Sequence, residues 1–340
     1  MPRHRSPGRT PVTARRSVGL ALAVVLLAAV VAASVGYGST PLPVGTVWEA
    51  VARFDPAVDA HLVVRTLRIP RTALGLLAGL ALGTAGAVMQ TVTRNPLADP
   101  GLLGINAGAA LCVVLGSHVL GVTTLPGYVW FAFAGAAGAA IMVYGVGTAG
   151  RGNGAPVTLA LAGAALTALL TSLTTSVLLI DRVSLDQFRF WAVGSLAGRD
   201  ATIALQVTPF IVAGLLLALL SARGLNALAL GDDTARALGQ RVALARAAAI
   251  TAVVLLAGAA TAAAGPIAFV GLAVPHVARL LAGADNRWLL PYSAVLAAIL
   301  LLGADIVGRI VARPAELQVG IVTALIGAPV FVALVRAGRA

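Results

Sequence analysis

Apolar runs of about twenty residues recur from Ser17 to the last residues of the chain, each closed by a short polar or proline-rich break. A run of that length crosses a bilayer as a helix. Taking each break as a turn predicts ten spans: Ser17 to Val35, then 70–91, 102–120, 127–148, 157–180, 202–222, 244–264, 266–283, 288–307 and 318–336. The fold class that follows is an all-α integral membrane protein, with a membrane domain over 18–336 and short tails at 1–17 and 337–340. Spans seven and eight are parted by Gly265-Pro266 rather than by a charged loop. The longest polar interruption, 36–66, holds Val47, Trp48, Val51 and Phe54, which suit a short amphipathic helix lying in the interface. An arginine-rich start before an apolar run also fits a signal peptide. The run is long for that purpose and many spans follow, which favours an uncleaved first helix.

The second span carries the densest pattern. It opens on Arg68-Ile-Pro-Arg71 and runs uncharged to Gln90, with Gly75, Gly79 and Gly83 repeating every four residues. A helix face without side chains lets a neighbour pack backbone to backbone in lipid. The polar stretch Arg94-Asn95-Pro96-Leu-Ala-Asp-Pro100 then reverses the chain, because its prolines bar simple helix continuation. Gly101, Gly104 and Gly108 begin the next apolar segment. A tight helical hairpin is expected here.

Composition narrows the class. The 340 residues are 59% hydrophobic and 11% charged, with a mean hydropathy of +0.96, too little polar surface for a soluble globule. The net charge is +12, yet all 24 basic residues are arginine. Without lysine there is no P-loop, so the chain is not a standard ATPase by itself and would take that activity from a partner. Arginine runs with interleaved aromatics are missing, so no nucleic-acid partner is expected; membrane lipid is. The single cysteine, Cys112, lies in an apolar run and reads as packing. Ten spans put both termini on one side. With that side inside, fifteen arginines fall inside and nine outside, which favours cytoplasmic termini.

Few residues offer chemistry. His276 beside Pro275 could ligate a metal or carry a proton, but no histidine or carboxylate lies three or four positions away and Arg279 would repel a cation. A structural histidine is favoured; no metal, cofactor or catalytic residue is expected. Asp305 and Arg309 are four apart on span nine and can pair. Arg68, Arg71 and Arg309 fall at outer span ends, where anchoring in lipid headgroups is the plain reading. Thr171, Ser172, Thr174, Thr175 and Ser176 crowd span five, and their hydroxyls can bond to the preceding helical turn. Between spans six and seven, residues 225–239 read as a short helix: Asp232 or Asp233 can cap it, Gly239 can end it, and Leu228, Leu230 and Leu238 offer apolar knobs.

RxPR, GxxLxxxGxxxQ and RNPLADPxxLGxxxGA resemble the permease subunits of ABC importers for iron-siderophores, haem and cobalamin, the FecCD type. The resemblance resumes in LALGDDTARALG, GPIAFVGLAVPHVARL and ELQVGIVTALIGAPVF, and covers Arg65 to the C-terminus. It implies the type II importer architecture and no covalent chemistry. The implied partners are a second permease subunit, two ATP-binding cassette subunits and an extracytoplasmic substrate-binding protein. Leu228, Gly231, Asp232, Asp233, Ala235, Arg236, Leu238 and Gly239 would form the coupling helix seated in the ATPase. Arg68, Arg71 and Arg309 would dock two glutamates of the binding protein. Thr171, Ser172 and Thr175 would line the path at the subunit interface, and the gate would fall on Ala155, Pro156, Val157 and Thr158, where Pro156 and Val157 depart from the usual small hydroxyl residues. Gln90, Asn95, Pro96, Gly104, Pro275 and His276 would be structural. Iron-siderophore is the expected cargo, with haem or cobalamin as the alternative. A secondary transporter driven by an ion gradient is the rival mechanism, for which Asp305 is the one candidate carrier.

Overall fold

The computed structural model describes residues 12–122, 124–149 and 156–336. Every regular element among them is helical. Ten long helices are labelled here in chain order: α1 Val12–Gly36, α2 Ile69–Thr93, α3 Ile105–Leu120, α4 Leu125–Ala149, α5 Pro156–Ile180, α6 Ala201–Leu220, α7 Val242–Ala264, α8 Val270–Ala282, α9 Asn286–Val311 and α10 Val319–Arg336. All ten expected spans have their helix. Seven segments are long and apolar enough to cross a membrane, while Ile105–Leu120, Val270–Ala282 and Val319–Ala333 are shorter apolar helices. The expected tails lie largely outside the described residues, as does Ala155 of the expected gate; α1 already begins at Val12.

The bundle is built around α2, in which every residue from Ala81 to Thr93 is buried. Its glycine face meets α9. A Cβ at Gly83 would fall onto the carbonyl oxygen of Ser293, one at Gly79 onto the Ala298 backbone, and one at Gly75 would lie 2.7 Å from Leu302. Gly86, one turn on, is pressed onto Gly271 of α8. The repeat read from the sequence is therefore a helix–helix contact in which any side chain would hold the backbones apart. The chain leaves α2 through Arg94 in the left-handed conformation (φ 50°), followed by Asn95-Pro96. Asp99 then caps a short 3-10 turn, Pro100–Leu103, by accepting from Gly101 N at 2.8 Å. Gly104 (φ 71°) links that turn to α3.

Short elements fill the breaks. Val44–Ala52 buries Val47 and Ala50 and exposes Val44 and Trp48, the amphipathic helix expected at the interface. A π-helical turn, Val63–Arg68, leads into α2. The helix Arg182–Ala192, between α5 and α6, has no counterpart among the expected elements. By contrast with α2, the helices α1 and α5 are largely exposed, and Leu22, Val25, Leu161, Leu179 and Leu325 on α1, α5 and α10 present bare apolar faces. Such faces need lipid or another subunit against them.

Candidate functional site

Two polar sites lie at opposite ends of α2. At its N-terminal end the three expected arginines converge, and all three are buried. Asp305 of α9 is fully buried and sits between two of them, 2.7 Å from Arg71 Nη2 and 2.9 Å from Arg309 Nη2. Arg71 Nε also donates to both Asp305 oxygens at 3.1 Å, and its remaining nitrogen reaches Glu316 at 2.6 Å. Arg309 donates on to Ser34 Oγ at 2.8 Å and to the Ser34 and Tyr37 carbonyls at 2.9 Å. Ser34 shares a 2.8 Å hydrogen bond with Thr72. Arg68 caps the end of α1, donating to the carbonyls of Val35, Gly36 and Thr40 at 2.6–3.1 Å.

Headgroup anchoring does not describe side chains enclosed in this way. The paired Asp305 and Arg309 are as expected, but the carboxylate is shared with Arg71 on another helix. Glu316, on the turn before α10, is the second carboxylate. Burial would raise its carboxyl, but the hydrogen bond and field of Arg71, aided by Arg309, hold it below the usual range. The ends of α1, α2, α9 and α10, with the segment before α6, enclose a cleft of about 360 Å³, lined by Gly38, Thr40, Arg68, Arg71, Arg309, Glu316 and a residue the sequence did not single out, Arg199.

The other end carries residues 222–239. They fold as two short helices, Ala222–Ala229 and Asp232–Ala237, joined through Gly231 at φ 104°. Ala222, Leu225 and Leu228 recur every three residues and form the buried stripe of the first. Leu228 is thus a core anchor rather than a protruding knob, whereas Leu230 and Leu238 are about two-thirds exposed. Ala235 is fully buried under the second helix, and Gly239 follows it at φ 78°. Neither aspartate acts as the cap; the N-cap is Gly231. Asp232 instead accepts from Arg246 of α7 at 2.8 Å and lies 3.6 Å from Arg94 at the end of α2. Asp233 pairs with Arg236 at 2.8 Å on the exposed side.

A second tether was not foreseen. Asn226 donates to Asp285 at 2.7 Å and accepts from the backbone and side chain of Asn286, which in turn accepts from Thr91 of α2 at 3.0 Å. The segment is thereby fastened to α2, α7 and α9 at once. The hydrogen bond and charge of Arg287, with Asn226, hold the Asp285 carboxyl well below its usual range.

Among the residues expected to be structural, Gln90 and Asn95 make defined contacts. Pro275 lies inside α8 and cannot donate to the carbonyl of Gly271, four residues back. Gln90 covers the gap, its Nε2 lying 3.4 Å from Gly271 O and 3.1 Å from Leu272 O, while its Oε1 accepts from Arg279 at 3.1 Å. Asn95 holds the turn by accepting from Leu97 N at 2.9 Å. His276 borders a cavity of about 520 Å³ with Gln90, Arg94, Pro96, Arg279 and Asn286, none of them a carboxylate. No group of three metal-ligating side chains occurs among the described residues. On α5, Ser172, Thr174, Thr175 and Ser176 each donate to the carbonyl four residues back at 2.8–2.9 Å, so their hydroxyls are satisfied inside the helix. Thr171, Ser172 and Thr175 lie on the exposed side, Pro156 opens the helix, and Val157 is exposed.

Comparison with known proteins gives a consistent picture. Residues 26–337 match the FecCD transport family. The chain is 47% identical to the ferric enterobactin transport system permease protein FepD of Escherichia coli K12, over 96% of this chain and 97% of that one. It is 42% identical to a siderophore transport system permease protein, YfiZ, of Bacillus subtilis 168, over 93% and 94%. Among solved structures it resembles a metal-chelate type ABC transporter in an inward-facing conformation, with a TM-score of 0.83, 29% identity and coverage of 94% of this chain and 98% of that one.

Proposed function

The chain belongs to the FecCD transport family, and from that premise we propose that it is the permease subunit of an ATP-driven importer whose cargo is an iron(III)-siderophore complex. ATP hydrolysis resides in separate subunits, in keeping with a chain that has no lysine for a P-loop. The observation that carries the ATP-driven reading is the segment 222–239. It offers exposed Leu230 and Leu238 to a partner while Asn226, Asp232 and Leu228 tie it to α2, α7, α9 and the core. A push on such a segment moves the bundle rather than a loose loop. One ATPase subunit seats there, on the cytoplasmic side of the inner membrane, through Leu238 and the exposed Asp233–Arg236 pair, and a second seats in the same way on the second permease subunit. A second permease subunit covers the bare faces of α5 and α10, so that Thr171, Ser172 and Thr175 border the path and Pro156 and Val157 its inner gate. The end bearing Arg68, Arg71 and Arg309 faces outward and receives the binding protein.

Ion coupling is the less favoured mechanism, because Asp305, its one candidate carrier, is locked between two arginines. The test is a pair of variants, Leu230→Asp and Leu238→Asp, in the assembled complex. Both should lose the ATPase subunit on purification and abolish uptake of labelled iron(III)-siderophore by cells. Uptake that survives without the ATPase and stops with an ionophore would overturn the proposal.

A further inference from the structure

Where the last turns of α4 meet the first turns of α7, two hollows adjoin that the transport reading does not use. They share Tyr144. The first, of about 600 Å³, is lined by Arg236, Gln240, Arg241 and Arg246 as well as Tyr144, and no carboxylate lines it. The second, of about 270 Å³, is a groove between the two helices walled by Phe133, Ala137, Ala140, Ile141, Ile250 and Val254, and no charged residue lines it. Together they run along α7 from Val242 to Leu255, about 20 Å at the helical rise. That is slightly more than one leaflet of a hydrocarbon core about 30 Å thick. Ile141, Val146 and Leu244 on the same stretches are 64–70% exposed, so the described residues leave this face open.

The charges beside the groove do not cancel. Arg246 is paired with Asp232 and Arg236 with Asp233, whereas the exposed Arg241 has no ion pair among the described residues. Arg241 is also the N-cap of α7, and no side chain caps that helix, so its first amides add to the positive field. We propose that the two hollows form one binding site for an anionic phospholipid. Its phosphate sits against Arg241, with Arg236 and Arg246 beside it, and one acyl chain lies in the groove between α4 and α7. A phosphate accepts several charge-assisted hydrogen bonds and suits arginine's planar fork. Basic pockets between spans on the cytoplasmic side take such headgroups. A free anion has no use for the groove, and a zwitterionic lipid brings no net charge to Arg241. Under the orientation proposed above the lipid belongs to the inner leaflet, and only that detail rests on it. Because Arg236 lies on the segment 222–239 and Arg246 holds Asp232, the bound lipid adds a link between that segment and α4.

The experiment takes the permease–ATPase complex, delipidated in detergent, and adds phosphatidylglycerol, phosphatidylcholine or inorganic phosphate. Native mass spectrometry should show phosphatidylglycerol retained in preference to phosphatidylcholine, and excess inorganic phosphate should displace little of it. Arg241→Gln should weaken retention about fivefold, the worth of one arginine near an anionic lipid surface. Arg241→Lys should weaken it less. Ala247→Leu, which narrows the groove without touching a charge, should weaken it as well. Without lipid, Arg241→Gln should melt with the wild type, and the two should part only when phosphatidylglycerol is added; a purely structural arginine would lower the midpoint in both states. Equal retention of the two lipids, or retention unchanged in Arg241→Gln, overturns the assignment. Full displacement by inorganic phosphate, with Ala247→Leu behaving as wild type, also overturns it, since the occupant would then be a free anion. Leu238→Asp, expected to shed the ATPase, should still retain the lipid, so the ATP-driven reading can fail without this one. Loss of the lipid together with the ATPase would place it on that subunit and overturn the site.

Discussion

A single carboxylate does most to hold the outward cleft together. Asp305 is fully buried and neutralises guanidiniums from two helices, Arg71 and Arg309. Removing one partner of a buried, hydrogen-bonded ion pair leaves the other charge stranded, at a cost of about 3–5 kcal/mol. Asp305→Asn should therefore lower the thermal midpoint of the detergent-solubilised protein substantially, and Arg309→Gln in that background should add less than it does alone, since both changes strike one network. An unchanged midpoint for Asp305→Asn would remove the network from the list of stabilising features. The Asp305–Arg309 half was legible from the sequence, because residues four apart share a helix face. The Arg71–Asp305 half was not, since 234 positions separate the two and no local pattern joins them. Arg199 went unnoticed for a related reason: its sequence neighbours make it an ordinary loop arginine, and only the packed structure shows that it is buried at the wall of the cleft.

At the scale of elements, periodicity carried the reading where one repeat dominated. Gly75, Gly79 and Gly83 marked a bare face, and α9 fills it, with the Ser293 carbonyl where a Gly83 side chain would go. Gly83→Leu should prevent α2 and α9 from closing, with a loss beyond the 1–3 kcal/mol or so typical of an overpacked core, seen as loss of a monodisperse peak after solubilisation. Gly303→Ala, on α9 itself, should behave as wild type, because nothing lies within 4 Å of the added Cβ. Equal behaviour of the two variants would show that the close approach does not govern assembly. The pattern did not name α9 as the partner, nor could it, since a smooth face fits many ridges. The helix Arg182–Ala192 escaped notice because Arg182, Asp186 and Arg189 break its hydropathy. A signal was there: the buried Ser184 and Trp191 and the ring of Phe188, packed on Trp191 at 5.9 Å, follow the spacing of one helix face. Likewise α8 is shorter than its expected span, as left-handed Phe269 delays its start past Gly265-Pro266.

For the whole molecule, the fold leaves one question on which every functional assignment turns: which end of the bundle faces out. Both polar sites are anchored on α2, the arginine cleft at its first turn and the segment 222–239 beside its last, so the two must lie on opposite sides of the membrane. Arginine counts favour the second end as cytoplasmic, fifteen against nine, a bias weakened by the arginines of the cleft itself. Those are buried, so they report on packing more than on insertion; setting Arg68, Arg71, Arg199 and Arg309 aside sharpens the asymmetry. Labelling can decide the matter. With Cys112→Ser as background, Glu49→Cys places an exposed thiol on the cleft side. Thr234→Cys places one on the other side, at an exposed position of the second short helix; Ala235 beside it is fully buried and would not react. An impermeant thiol reagent should modify Glu49→Cys in intact cells and Thr234→Cys only after the membrane is opened. The reverse pattern would put the cleft inside and the exposed Leu230 and Leu238 outside, where no ATPase subunit could reach them, and both docking assignments would fall with the orientation.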